Sequence, residues 1–157
     1  MKSTTAQGIA EDYHRLSGME FLNKLMRDGT ESPMGELLNL TVVAVSDGEV
    51  AIRGVPDEKF YNPMFRIHGG WTSTLIDTAL GSAVVTKIPA GTGVGTVQLN
   101  INLVRKIEVA SGPMIATAKV LHAGRSMLTA EVKVCDEKGV LYAHGSGTFM
   151  VYPKPSG

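Results

Sequence analysis

Residues 70 to about 86, "GWTSTLIDTALGSAVVT", constrain the fold more than any other stretch of the chain. Trp71, Leu75, Thr78 or Ala79, and Ser82 or Ala83 recur at helical steps, and small residues fill most of the remaining positions. A helix that is apolar nearly all round has to be covered on most sides. The cover comes from four alternating segments, roughly 94–105, 114–122, 126–135 and 141–151, separated by short turns near residues 110–113, 123–125 and 137–139. Their even spacing predicts a meander of antiparallel strands. Upstream, two β-branched runs flank Asp47-Gly48, which predicts a hairpin within "ELLNLTVVAVSDGEVAIRGVP". One sheet wrapped on one helix defines an α+β fold.

Towards the N-terminus, Leu16, Met19, Leu22, Leu25 and Met26 recur at three- and four-residue steps, predicting one amphipathic helix over 11–26. Gly29 lies near its C-terminal cap and Pro33 beyond. Residues 1–10 are small and polar and read as a flexible N-terminus, leaving 11–157 as a single domain. The chain has 157 residues, 43% hydrophobic and 19% charged, which is ordinary globular composition. Lys+Arg 15 balance Asp+Glu 15, so no general attraction to nucleic acid or an anionic membrane is expected. No stretch approaches the roughly 20 apolar residues that span a bilayer, and "MKSTTAQGIAEDYHRL" lacks the apolar core of a secretory signal. A cytoplasmic setting is the expectation. The lone Cys135 sits in the strand-like "TAEVKVCDE", ruling out an internal disulfide framework or a multi-cysteine zinc site. His14, His68, His122 and His144 show no ligand spacing, so no metal is expected, and neither G-x-S-x-G nor G-x-x-x-x-G-K occurs.

One residue disturbs the central helix. Asp77 has Ser73, Thr74, Leu80 and Gly81 as its neighbours at three- and four-residue steps, none of them basic. A buried carboxylate costs several kcal/mol unless it is paired or hydrogen-bonded. It either faces solvent, pairs with a distant base, or works. The preceding glycines favour work: a helix starting just after His68 leaves backbone N–H groups unpaired at its positive end. Gly69 and Gly70 offer no side chain to block a substrate there, although a tight turn alone would also use them. Such donors polarise a carbonyl while the acid activates water or attacks directly.

The segment "YNPMFRIHGGWTSTLIDTALG" resembles the signature of hotdog-fold acyl-CoA thioesterases of the phenylacetate-degradation type. It has their Asn…His-Gly-Gly…Asp pattern, six residues from Asn62 to His68 and nine from His68 to Asp77. The likeness extends from the hairpin near Leu37 to the last strand near Val151. It implies an antiparallel sheet wrapped around a central helix, and hydrolysis of an acyl-CoA to free acid and coenzyme A. Asp77 would be nucleophile or general base, the Gly69 amide would polarise the thioester carbonyl, and His68 and Asn62 would orient substrate or water. Thr96 would bond a water from the facing subunit. Gly70 would border the substrate; Arg125 and Ser126 would touch the coenzyme A nucleotide, with Arg105 and Lys106 as further phosphate contacts. The site would lie between subunits of a homodimer or homotetramer. No cofactor is implied, coenzyme A entering as part of the substrate. Two departures are Lys106, where the family commonly has proline, and Trp71 directly after the glycines, which we read as packing. The rival readings are an acyl-CoA hydratase or dehydratase and a non-catalytic acyl-CoA-binding protein.

Overall fold

A seventeen-residue helix, α4 (Gly69–Val85), lies against a six-stranded sheet in the computed structural model, which describes residues 6–153. Three helices come first: α1 (Ala6–Arg15), α2 (Gly18–Asp28) and α3 (Pro33–Leu37). The strands are β1 (Leu40–Ser46), β2 (Glu49–Gly54), β3 (Thr92–Leu103), β4 (Met114–Ala123), β5 (Met127–Asp136) and β6 (Leu141–Pro153), with α4 between β2 and β3. All pairings are antiparallel, in the order β1-β2-β4-β5-β6-β3. This is the α+β hotdog arrangement expected from the sequence.

α4 buries Trp71, Leu75, Ile76, Ala79, Leu80, Ala83 and Val84 in one core with Val50, Ile52, Met114, Leu128, Val134 and Phe149 of the sheet. The helix is not apolar all round, however. Ser73, Thr74, Asp77, Thr78, Gly81 and Ser82 form a small, polar stripe that stays half-exposed. Their period matches one helix face, hidden in the sequence because small side chains blur the contrast. Ser73 and Thr74 return their hydroxyls to the Gly69 and Gly70 carbonyls at 2.8 and 2.9 Å, and so need no outside partner. Trp71 is core, as read: its indole N–H donates to the Leu38 carbonyl at 3.0 Å, and its ring stacks on Phe60.

Three expectations change. The N-terminal helix is two helices, because Ser17 and Glu20 form a reciprocal capping box that restarts the chain at Gly18. The apolar repeat runs straight through that break. Residues 6–10 are helical, as part of α1, where no regular structure was expected; residues 1–5 lie outside the described residues. Gly29 caps α2 at φ 61, as expected. The four later strands are also not one meander: β3 leaves α4 to pair with β6 at the sheet edge, and β4 pairs with β2. Alternation reveals which face a residue occupies, not which strand lies beside it. In the hairpin, Gly48 takes positive φ at 76.

The helical hairpin α1–α2 is seated at the C-terminal end of α4 by a close approach. The Gly18 N–H donates to the Ile88 carbonyl at 3.1 Å, and a Cβ there would lie 1.7 Å from the Val85 carbonyl oxygen. Lys24 links the two helices by pairing with Asp12 of α1 and Asp28 of α2. Among the described residues no helix is long and apolar enough to cross a membrane.

Candidate active site

The loop before α4 is built to present a helix N-terminus. Asn62 accepts the Met64 and Arg66 amides on Oδ1 at 2.9 and 3.3 Å, and Phe65 turns the chain with φ 56. A bridge pairs Tyr61 with Ile67, and the His68 N–H donates to the Phe60 carbonyl at 2.8 Å. His68 is the N-cap: Nδ1 accepts the Gly70 N–H at 2.8 Å, and its carbonyl accepts the Trp71 N–H at 3.0 Å. Accepting on Nδ1 places the proton of neutral His68 on Nε2. The Gly69 N–H is left without an acceptor among the described residues, at the positive end of α4. It borders a cleft of about 290 Å³ with Asn62, Leu103, Arg105 and Lys106. Asn62, with its carbonyl committed to the loop, keeps its side-chain NH2 as a donor without an acceptor among the described residues.

Asp77 lies eight residues further along α4. It is half-buried and forms no ion pair among the described residues. Its partner is Thr96 of the same chain, whose Oγ1 donates to Oδ1 at 3.0 Å. That contact gives the lone acid of a largely buried helix a hydrogen-bond donor. A β-bulge between Thr96 and Gln98 accompanies the contact. Asp77 and Thr96 open onto a mainly apolar cavity of about 320 Å³ whose walls include Tyr13, Phe21, Glu31 and Phe149. Burial pushes the Tyr13 hydroxyl and the Glu31 carboxyl above their ordinary values; for Glu31 the Val42 N–H, at 3.3 Å, opposes this. Sequence reasoning passed over Tyr13, Phe21 and Glu31. The first two lie on the apolar helix faces, but nothing local marked Glu31.

The two halves do not meet within one chain. Eight residues of helix span about 12 Å. Gly69 faces Leu103 at one end of β3 and Asp77 faces Thr96 near the other. The basic residues divide the same way. Arg105 and Lys106 follow the Leu103 end, Arg105 lying over the Tyr142 ring and Lys106 paired with Glu108 at 2.9 Å. Arg125 and Ser126 sit exposed in the β4–β5 turn, beside Val151 and so near the start of β3. Gly70 is exposed at the N-terminus of α4, its amide taken by His68. Cys135 is a partly buried β5 residue, and His122 and His144 lie exposed on β4 and β6.

A seventeen-residue helix clasped by a six-stranded antiparallel sheet is the frame this chain shares with known proteins. The thioesterase superfamily model matches residues 66–143, and the chain belongs to that superfamily as a thioester hydrolase. A Halobacterium salinarum protein provisionally described as an esterase is 35% identical over 126 residues, 73% of this chain and 82% of its own length. The 1,4-dihydroxy-2-naphthoyl-CoA hydrolase of Listeria monocytogenes is 26% identical over 119 residues, 76% of this chain and 95% of its own. The solved structure of a conserved Pseudomonas aeruginosa protein superposes with TM-score 0.73 at 31% identity, covering 80% of this chain and 98% of that one.

Proposed function

We propose that this thioester hydrolase acts on an acyl-CoA, and that each active site is shared by two copies of the chain. The observation that carries this reading is the Gly69 N–H, left unpaired while the N-cap occupies its neighbours, on the same helix as a carboxylate about 12 Å away. A thioester spans far less than that. A second copy supplies the missing half.

β3 is the edge that joins them. Among the described residues it pairs only with β6, and Val97 and Leu103 on it and Val104 just beyond it are more than half exposed. Antiparallel pairing of two β3 strands about an axis between Leu99 and Asn100 sets Thr96 opposite the partner's Leu103. Asp77 then faces the partner's Gly69, and Arg125 approaches the end that carries the partner's Arg105 and Lys106, where coenzyme A phosphates find cations.

In the reaction, the Gly69 amide holds the carbonyl oxygen as it gains negative charge. Asp77 either takes a proton from the water that attacks the carbonyl carbon or attacks that carbon itself. In the first route the proton taken by Asp77 passes to the thiolate as the C–S bond breaks, giving free acid and coenzyme A thiol. In the second, C–S cleavage leaves a mixed anhydride on Asp77, which water hydrolyses to the free acid and the Asp77 carboxylate while the proton released converts the thiolate to thiol. Thr96 aims the carboxylate, Asn62 donates to substrate or water, and His68 shapes the amide cradle. The Listeria relative, a hydrolase of a naphthoyl-CoA, supports the coenzyme A thioester as substrate.

Free thiol released from a panel of acyl-CoAs tests the activity. Asp77→Asn keeps the size of the side chain and is expected to lower turnover at least about 100-fold with the fold intact. Near-normal hydrolysis by that variant removes Asp77 from the mechanism; hydration of an enoyl-CoA without thiol release replaces the reading altogether.

A further inference from the structure

The cavity next to Asp77 contains a carboxyl that the hydrolytic chemistry does not use. Its walls are mainly apolar, with Tyr13 and Phe21 of the N-terminal helices and Phe149 of β6 among them, and besides Asp77, Thr96 and the small polar residues of α4, Glu31 lines it as well. Glu31 comes from the loop between α2 and α3, away from the helix that carries the reacting groups. It is half-buried and forms no ion pair among the described residues. One backbone contact, from Val42 at 3.3 Å, serves one of its oxygens. The other has no partner among the described residues. Desolvation dominates its electrostatics, and no neighbouring cation contributes.

The cavity, about 320 Å³, is roughly twice the 150 Å³ or so that encloses a benzene ring. It takes a substituted ring or a chain of similar bulk. A plain hydrocarbon group filling it strips the remaining water from Glu31 and gives nothing back, at the cost of an unsatisfied charged acceptor. A group ending in a hydroxyl restores the lost hydrogen bond. Sites built around such a polar partner reject the analogue that lacks it far more strongly than apolar pockets reject an extra methylene.

We propose that Glu31 is a specificity residue, its carboxylate accepting a hydrogen bond from a hydroxyl or similar donor at the end of the acyl group remote from the thioester. This rests on the acyl-CoA reading for the identity of the ligand. Tyr13 and Phe21 close the pocket around the acyl body, and Glu31 reads its tip.

The test uses coenzyme A thioethers, which have no bond to hydrolyse: the S-octyl and S-(8-hydroxyoctyl) pair, and the S-phenethyl and S-(4-hydroxyphenethyl) pair, with affinities measured by calorimetry on the intact protein. In at least one pair the hydroxylated member is expected to bind tighter by about tenfold or more, the lower end of what a hydrogen bond to a charged group supplies. Glu31→Gln, which keeps an acceptor for the Val42 N–H, reduces the preference to about threefold, and Glu31→Leu abolishes it. Equal binding within both pairs overturns the proposal, as does a preference that survives Glu31→Gln undiminished, a result that stands even if Glu31→Leu does not fold. Thiol release from acyl-CoAs is scored separately, so failure of the hydrolase reading and failure of the Glu31 assignment leave different signatures.

Discussion

Gly69→Pro removes a single hydrogen from the nitrogen on which the proposed mechanism depends. Position 69 is the first residue of α4, where proline is favoured because its φ suits the helix and its missing N–H is not needed. His68 already has φ −60 and ψ 136, the extended conformation that a following proline demands. No native bond is lost, since the Gly69 N–H has no acceptor among the described residues. The new Cβ lies 2.9 Å from Leu103 Cδ1, the far end of a side chain that is 52% exposed and free to rotate. Proline also restricts the unfolded chain, by about 0.4–1 kcal/mol. These terms nearly cancel, so stability stays within about 1 kcal/mol and the melting temperature within about 4 °C. Turnover does not escape: loss of one oxyanion donor costs about 10²–10³ in kcat, or roughly 2.7–4 kcal/mol. Thiol-release kinetics and a thermal melt are the assays, with Gly69→Ala as the control that adds the same Cβ but keeps the N–H. A folded Gly69→Pro enzyme with near-normal kcat refutes the oxyanion role. Equal losses in the proline and alanine variants show that crowding, not the amide, was responsible.

Mixing the Gly69→Pro and Asp77→Asn proteins, each inactive alone, restores about a quarter of normal turnover after subunit exchange, because one site of each mixed dimer is intact; no restoration places both groups in one chain. Gly18→Ala drives a methyl to 1.7 Å from the Val85 carbonyl oxygen, lifts α2 off the end of α4, and lowers stability by about 1–3 kcal/mol with a raised KM, whereas a melt and KM unchanged from normal would mean α2 is not seated there. Glu31→Gln stabilises the protein at neutral pH. Burial raises the folded carboxyl above its ordinary 4.5, so ionisation opposes folding as pH climbs through that window, and the advantage shrinks below about pH 4.5. Urea midpoints at acid and neutral pH check this, and an advantage that grows on acidification contradicts it.

The core of this fold is legible in the residues, because burial imposes periods. Leu75, Ile76, Ala79, Leu80 and Ala83 mark α4, and Asp47-Gly48 marks the first hairpin, both set by local chemistry. The break at Ser17 was also written locally, as Ser-x-x-Glu, but an apolar repeat continuing across it masks the signal. Strand order was not legible. β3 alternates as well as β4 does, and only packing decides that β3 takes the edge beside β6. The site divides along the same line. Asn62, His68, Gly69 and Asp77 stand close in sequence with meaningful spacing, whereas Glu31 reaches the cavity through tertiary contacts that leave no local trace. His68 shows the intermediate case: its position was readable, but its service as a helix cap that spares the Gly69 amide required coordinates.

The N-terminal helices wall the cavity beside Asp77 without contributing any of the groups proposed to break the ester. Selection on what enters can therefore act on one stretch of the gene while the bond-breaking apparatus, confined to α4, the loop before it and β3, stays under separate constraint. On the proposed reading, grafting α1, α2 and the loop that carries Glu31 between relatives exchanges acyl preference while the bond-breaking groups stay in place.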